Sequence, residues 1–329
     1  MTDSSPSAPG SLAFARVRCT AFAVGTVWSG PELAVHLRGA LGLLLRQSVP
    51  ATGAPVCPTP DAEPCTACTC DAPCLYRLAF DAPAAPDRVG YFGGSDAPRP
   101  YLVRTEPALR RVPPGGRFTF ELTAFGPLAP HLPQLVDALR PAQYRGLGRR
   151  DAWFRLAEAH VLLPDGTVKA MPTHGDFAAG RDPPAIAQLL VPPPTDAAAP
   201  AGRVTVRFLT PTRIKARGDV TQVPALADLV DRIGQRVRAL VERWGTPHGP
   251  VHWPYAQGRI VAVEGNWVQG ARRSRSQAPH HQDLSGFVGD VAYEGNVAPL
   301  LPWLFWAEVV GVGSGIPFGC GVIEVLQAD

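Results

Sequence analysis

The chain has 329 residues, 46% of them hydrophobic, and a formal net charge of +3 at neutral pH. That length can bury two cores of ordinary size, and no apolar run approaches the roughly 20 residues of a membrane-spanning helix. A charge so near balance argues only weakly for nucleic acid through bulk potential, but Lys occurs only at Lys169 and Lys215, so nearly all of the 31 cationic side chains are arginine. The planar arginine fork suits phosphate and base edges, although codon bias toward Ala, Gly and Pro would raise arginine as well.

Residues 1–10 read as a disordered tail without the basic and apolar regions of a secretory signal, so a cytoplasmic location is expected. Ser11–Trp28 alternates as a first strand. Ser29, Pro31 and Glu32 then give a capped start to a helix over Pro31–Gln47, with Leu33, Leu37, Leu41, Leu44 and Leu45 on one face. A Cys-rich insert occupies 48–74. Strands are expected at Leu75–Phe80, Tyr101–Thr105 and Arg117–Phe125, a helix at His131–Ala142, the segment Arg145-Gly-Leu-Gly-Arg149, and a strand at Phe154–Leu163. That order, β-α-β-β-α-β, is a ferredoxin-like split βαβ, assigned to 11–180.

Residues 181–202, rich in Pro and Ala, read as a linker. The pattern restarts over 203–329 with a strand at Arg203–Thr210 and a helix at Leu226–Trp244 stopped by Gly245. Strands at Gly258–Val268 and Gly286–Tyr293, a short helix and a final strand complete it. The expected architecture is α+β: two tandem ferredoxin-like (RRM-like) domains followed by a C-terminal Gly-rich loop.

That loop, VVGVGSGIPFGCGVIEV over 309–325, contains Gly311, Gly313, Gly315, Gly319 and Gly321. Glycines here allow positive φ and close backbone approach, and a row of amides could form an anion-binding nest. The dinucleotide-binding reading fails on placement, because that fingerprint opens a helix and needs an acidic residue about 20 positions on.

Five cysteines fall in the insert: Cys57, Cys65, Cys68, Cys70 and Cys74. Cys65-x-x-Cys68 has metal-ligand spacing, and Cys57 with Cys74 could complete a structural zinc site. The alternative is a set of reduced, metal-free thiols, as a single Pro-rich segment lacks the usual paired knuckles.

The blocks Leu284–Gly295 (LSGFVGDVAYEG), Ala298–Trp306 (APLLPWLFW) and the Gly-rich loop, in that order, resemble the C-terminal region of the CRISPR-repeat endoribonucleases of the RAMP superfamily. The likeness extends to Phe208–Gly218, Arg117–Gly126, Tyr144–Arg150 and Leu37–Gly42, in family order over roughly residues 12–329. It implies tandem domains whose sheets form an RNA cleft, and recognition of a repeat stem-loop. It also implies metal-independent cleavage, in which the 2′-hydroxyl attacks the adjacent phosphate to leave a 2′,3′-cyclic phosphate and a 5′-hydroxyl. Cys-containing inserts occur at the same place in the family.

Such a reaction needs a base, an acid and a cation on the phosphorane. His36, at the edge of the apolar stripe of the first helix, is the expected general base, with Arg38 and Lys215 as further catalytic candidates. Many members carry a histidine where this chain has Leu43, so the function would have moved along the helix. His280 and His281 are expected as acid or RNA contacts, whereas His131 and His160 read as structural. Arg213, Lys215 and Arg217 fall two apart in what reads as one extended segment, a charge ladder for phosphates or the guard of an edge strand. Arg272, Arg273 and Arg275 form a second basic cluster suited to A-form RNA, and the loop glycines add backbone contacts.

Two further readings accompany the nuclease: a RAMP subunit of a CRISPR effector complex that binds repeat RNA without cutting it, and a zinc-stabilised interaction module unrelated to RNA. The nuclease itself could stay on its product beside other effector subunits. No membrane partner and no catalytic cofactor are expected.

Overall fold

The computed structural model describes residues 8–47, 74–80, 98–140, 146–148, 151–171, 186–192, 202–273 and 281–328. The chain divides into two compact units: Ala13–Gln188, and Leu189–Asp329 together with Met1–Leu12. The boundary thus falls inside the Pro/Ala-rich stretch. The first residues join the C-terminal unit because Gly10 and Ser11 pair with Pro247 and Thr246, while the Val191 amide donates to the Gly10 carbonyl.

The elements of the N-terminal unit are β1 (Gly10–Ala23), β2 (Val27–Ser29), α1 (Pro31–Gln47), α2 (Leu75–Phe80), β3 (Tyr101–Thr105), β4 (Arg110–Val112), β5 (Arg117–Phe125), α3 (Leu132–Ala138), β6 (Phe154–Leu162) and β7 (Val168–Met171). Its sheet runs β3-β5-β1-β6-β7, all neighbours antiparallel. Without the added β7, that is the split-βαβ order in which the first strand lies between the third and the fourth. Alternate residues of β1, Val17, Cys19 and Ala21, are buried with Phe118, Phe120 and Leu122 of β5. Leu33, Leu37, Leu41 and Leu44 of α1 cover them. The spacing of three and four residues along α1 is what aims that leucine stripe at the sheet.

Three expectations change here. The first strand ends at Ala23, and Trp28 belongs to the separate β2, which pairs with β4. The second helix begins as a 3₁₀ turn over Gly126–His131 and continues as α3 only to Ala138. Leu75–Phe80 is a helix, not a strand. Six apolar residues fit either period, and what decides is the i,i+4 pairing: Leu75 and Ala79 are buried, and Tyr76 stacks on Phe80 at 5.4 Å.

In the C-terminal unit, β8 (Ala187–Leu190) crosses the boundary, followed by β9 (Gly202–Thr212), β10 (Lys215–Ala216), β11 (Asp219–Val220), α4 (Leu226–Trp244), β12 (Thr246–Pro247), β13 (Gly258–Val268), β14 (Ala271–Arg273), β15 (His281–Asp283), β16 (Gly286–Gly295), α5 (Leu301–Val310) and β17 (Ile323–Ala328). The sheet order β13-β16-β9-β17 repeats the ferredoxin-like arrangement. On β9, Val204, Val206 and Phe208 face α4, whose Leu229, Val230, Ile233, Val237, Leu240 and Val241 are all buried. The intervening residues Arg203, Thr205 and Arg207 lie on the opposite, open face. No helix among the described residues is long and apolar enough to cross a membrane.

Candidate functional site

His36 sits on α1 one residue before the buried Leu37, half-buried at the margin of the core. Its imidazole lies against Gly148: a Cβ built there would meet Cε1, Nε2 and Cδ2 well under the 3.0 Å that real Cβ contacts keep. Gly148 has φ +73°, and Gly146 has φ +76°. The neighbouring Leu147 is buried, and its amide donates to the Ala152 carbonyl. The glycines of this short loop therefore let its backbone turn back onto the ring. Burial lowers the His36 pKa below the ordinary histidine value, against a smaller upward pull from Glu32 one turn earlier. The ring is neutral at physiological pH and so able to accept a proton.

Arg38 stands over the Phe80 ring at 5.2 Å, and two turns on Arg46 stands over Tyr76 at 4.8 Å. Their guanidinium planes cover the aromatic stack that makes α2 a helix, so Arg38 has a packing role that the sequence did not suggest. Leu43 is 48% exposed on the same helix.

The open face of the N-terminal sheet carries a row that sequence reasoning missed. Arg104, Glu121, Arg18 and His160 stand directly abreast on β3, β5, β1 and β6. Glu121 accepts from Arg16 and Arg18. Burial would raise its pKa, but the Arg16 charge and the hydrogen bonds from Arg16 and Arg18 hold it below the usual carboxylate range. Three arginines around a single carboxylate leave this face net positive. Each occupies a polar position of an alternating strand, so singly each looked like a solvated residue.

In the C-terminal unit the expected ladder is not one extended segment. β9 ends at Thr212, and Lys215 opens the hairpin β10–β11. Arg217 occupies its tip at φ +50°, ahead of Gly218 at φ +94°, a two-residue turn with both central residues left-handed. Lys215 and Arg217 are exposed. The Lys215 carbonyl accepts from Arg232 Nε at 2.9 Å, which ties the hairpin to α4. Arg213 is instead committed to an ion pair with Asp283. Hydrogen bonds from the side chain and backbone of Ser285, then Arg213, hold Asp283 below the usual carboxylate range. The Asp-Leu-Ser spacing, with the Ser285 amide donating to Asp283 Oδ1 at 2.8 Å, is the signal that could have exposed this partner.

All five loop glycines have positive φ, between +72° and +85°. The row of free amides expected of them is mostly absent. The amides of Gly311, Val312, Ser314, Phe318, Gly319 and Gly321 donate to carbonyls at Ala307, Gly321, Arg213, Gly315, Ile316 and Pro211, and Val322 donates to Thr210 Oγ1. These bonds stitch the loop to the end of β9. The stretch Gly313–Gly315 keeps solvent access, with Ser314 exposed. Cys320 lies below it, and burial pushes its thiol up to about 12, which excludes it as a nucleophile at neutral pH.

Arg272, Arg273 and His281 lie on the hairpin β14–β15 through the pairs Arg272 with Gln282 and Arg273 with His281. Arg275 and His280 lie outside the described residues, as do Cys57, Cys65, Cys68 and Cys70. Cys74 immediately precedes α2, its Sγ accepting from the Arg77 amide at 3.5 Å. Among the described residues no group of His, Cys, Asp and Glu gathers with metal-site geometry.

Comparison with solved structures finds a Cas6 product complex at 18% identity and TM-score 0.48, covering 95% of this chain and 99% of that one. Thermus thermophilus Cas6 gives 14% identity and TM-score 0.46, with coverage of 96% and 99%. A partial Cas6-RT-Cas1–Cas2 complex gives 12% and 0.48, covering 98% of this chain and 46% of the other. No curated protein sequence matches the chain. Two family models do: AF_1859_N, described as an N-terminal domain, over residues 12–181, and the CRISPR-associated endoribonuclease Cas6 over residues 206–323. With its two units matched in this order, the chain belongs to the Cas6 family of CRISPR-associated endoribonucleases.

Proposed function

We propose that the protein cleaves CRISPR precursor RNA within its repeats without a metal, leaving a 2′,3′-cyclic phosphate and a 5′-hydroxyl, and stays on the repeat stem-loop afterwards. The observation that carries this reading is the neutral His36 held against Gly148. A histidine kept in its base form by burial is suited to take the proton of the 2′-hydroxyl as that oxygen attacks phosphorus. The P–O5′ bond then breaks, and the 5′-oxygen must receive a proton, a role we assign to His281 or to water. In the C-terminal unit, Lys215 and Arg217 supply positive charge to RNA phosphates, and Gly313–Gly315 supply close backbone approach. Arg18, Arg104 and the β14–β15 arginines provide further sequence-independent contacts to the RNA backbone.

A second reading, a subunit that binds repeat RNA without cutting, is favoured by one residue. Leu43, exposed on α1, occupies the place where many family members carry histidine. Incubating repeat RNA with the protein in excess EDTA separates the two. Cleavage with cyclic-phosphate ends supports the enzyme, whereas tight binding with intact RNA supports the scaffold. The Cys57, Cys65, Cys68 and Cys74 loop is assigned a structural zinc in the same spirit. Chelation that releases one zinc per chain and lowers the melting temperature supports it, and metal-free protein with an unchanged melting temperature contradicts it.

A further inference from the structure

Helix α5 ends directly in the Gly-rich loop, with Gly311 as the residue after its last turn. The C-terminus of a helix carries the equivalent of roughly half a negative charge, which is the wrong sign for a loop that is to take phosphate. Nothing within α5 offsets it. The last turn holds no basic residue and does hold Glu308, whose Oε1 accepts from the Val325 amide at 2.6 Å. Ala307 and Val310 are 0% exposed, so water screens this pole poorly.

The offset comes from a different helix. Arg236 of α4 donates from Nε to the Val310 carbonyl at 2.7 Å, one of the α5 carbonyls that no intrahelical amide can reach. Its Nη2 is buried and has no hydrogen-bond partner among the described residues. Burial pushes its pKa down to about 9 with no carboxylate acting on it, so the guanidinium is still charged at neutral pH. One turn earlier, on the same face of α4, Arg232 donates from Nε to the Lys215 carbonyl at 2.9 Å. Neighbouring arginines of one helix thus hold both the Lys215–Arg217 hairpin and the root of the Gly-rich loop.

We propose that Arg236 is a positioning residue for RNA binding: seated on the last carbonyl of α5, it outweighs the negative helix end and makes Gly313–Gly315 favourable to an RNA phosphate. The inference rests on the reading of that stretch as a phosphate contact. Three residues of chain, at most about 11 Å, separate Val310 from Gly313. That is comparable to the ~8 Å Debye length of physiological salt, and a buried charge is screened less than an exposed one. An arginine with a purely structural role would be replaceable here by any donor to the Val310 carbonyl. In the role proposed, the charge itself is required.

The test is the affinity of the full chain for a repeat RNA at one physiological salt concentration, read beside the melting temperature. Arg236→Gln keeps a donor and removes the charge, and is expected to weaken binding by about 5-fold or more. Arg236→Lys keeps the charge and is expected to hold affinity within about 2-fold of the wild type, whatever either substitution costs in stability. Glu308→Gln removes the opposing charge at the same pole, while its amide oxygen can still accept from Val325. It is expected to raise affinity, and it decides the matter should Arg236→Gln fail to fold. Ser314→Asp in the otherwise wild-type chain tests the loop by itself: unchanged affinity would remove the loop from RNA and this role with it. If Ser314→Asp weakens binding, three results would overturn the role of Arg236 alone. They are an Arg236→Gln that binds like the wild type, an Arg236→Lys that loses as much affinity as Arg236→Gln, or a Glu308→Gln that binds no tighter.

Discussion

The ring of His36 and the main chain of Gly148 are in direct contact, and no side chain larger than hydrogen fits at residue 148 without moving the imidazole. Gly148→Ala therefore tests position without touching the base. Displacing a catalytic group by about 1 Å costs on the order of 10²-fold in rate, and a left-handed alanine costs about 1–2 kcal/mol of stability. Single-turnover cleavage should fall by that factor while RNA affinity holds. His36→Ala should fall further, by ~10²–10⁴-fold.

The pH profile follows from the lowered His36 pKa. A base must be unprotonated, so cleavage should be level through neutral pH and decline only below histidine's ordinary value of about 6.5. The folded state binds this proton more weakly than the unfolded chain does. The contribution of His36 to stability is thus complete above the unfolded value and is lost as pH falls through it. Thermal melts of wild type and His36→Gln should converge near neutrality, with the wild type losing more below pH 6.5. A rate that climbs on acidification would remove His36 from the role of base.

Within the Gly-rich loop, fold and binding are separable. A Cβ at Gly321 would collide with the Val312 carbonyl at φ +72°, so Gly321→Ala should cost about 2–5 kcal/mol from left-handed strain plus overpacking. Ser314 is exposed beside glycines that keep solvent access. Ser314→Asp should leave the melting temperature alone and weaken RNA binding several-fold. Equal effects of the two variants on melting temperature would refute the division.

Lys215 and Arg217 should behave as phosphate cations. Replacing either with Ala is expected to lower the salt dependence of RNA binding by about one phosphate contact. Arg217→Gly removes the charge and relieves a left-handed arginine, so it should weaken binding without lowering the melting temperature. Arg213→Ala should instead act on stability, because it strips the ion pair from Asp283.

The helices and the strand order were legible because α1 and α4 carry unbroken stripes at helical spacing, and β9 and β16 alternate. The six residues of α2 were not, since their conformation depends on Arg38 and Arg46, thirty and more positions away in the chain, covering an aromatic stack. The site was legible in part. The place of His36 beside the leucine stripe follows from helical spacing, but Gly148, which packs against its ring, meets it only through tertiary packing. The phase of Arg217 was misjudged because an Arg-Gly pair inside an otherwise extended stretch turns the chain back on itself. Periodicity alone does not register that. The basic row of Arg18 and Arg104 exists only once β1 is slotted between β5 and β6, a long-range pairing that no local pattern encodes. The loop glycines announced positive φ correctly, while the destination of their amides was set by the end of β9.

The central claim is that the 2′-hydroxyl of the RNA itself is the nucleophile and His36 its base. The most direct measurement is the single-turnover cleavage rate of a repeat RNA carrying one 2′-deoxy nucleotide at the scissile position, in excess EDTA. The account predicts no detectable product, with binding unchanged from the all-ribose RNA. Cleavage of the deoxy substrate at the all-ribose rate would contradict it.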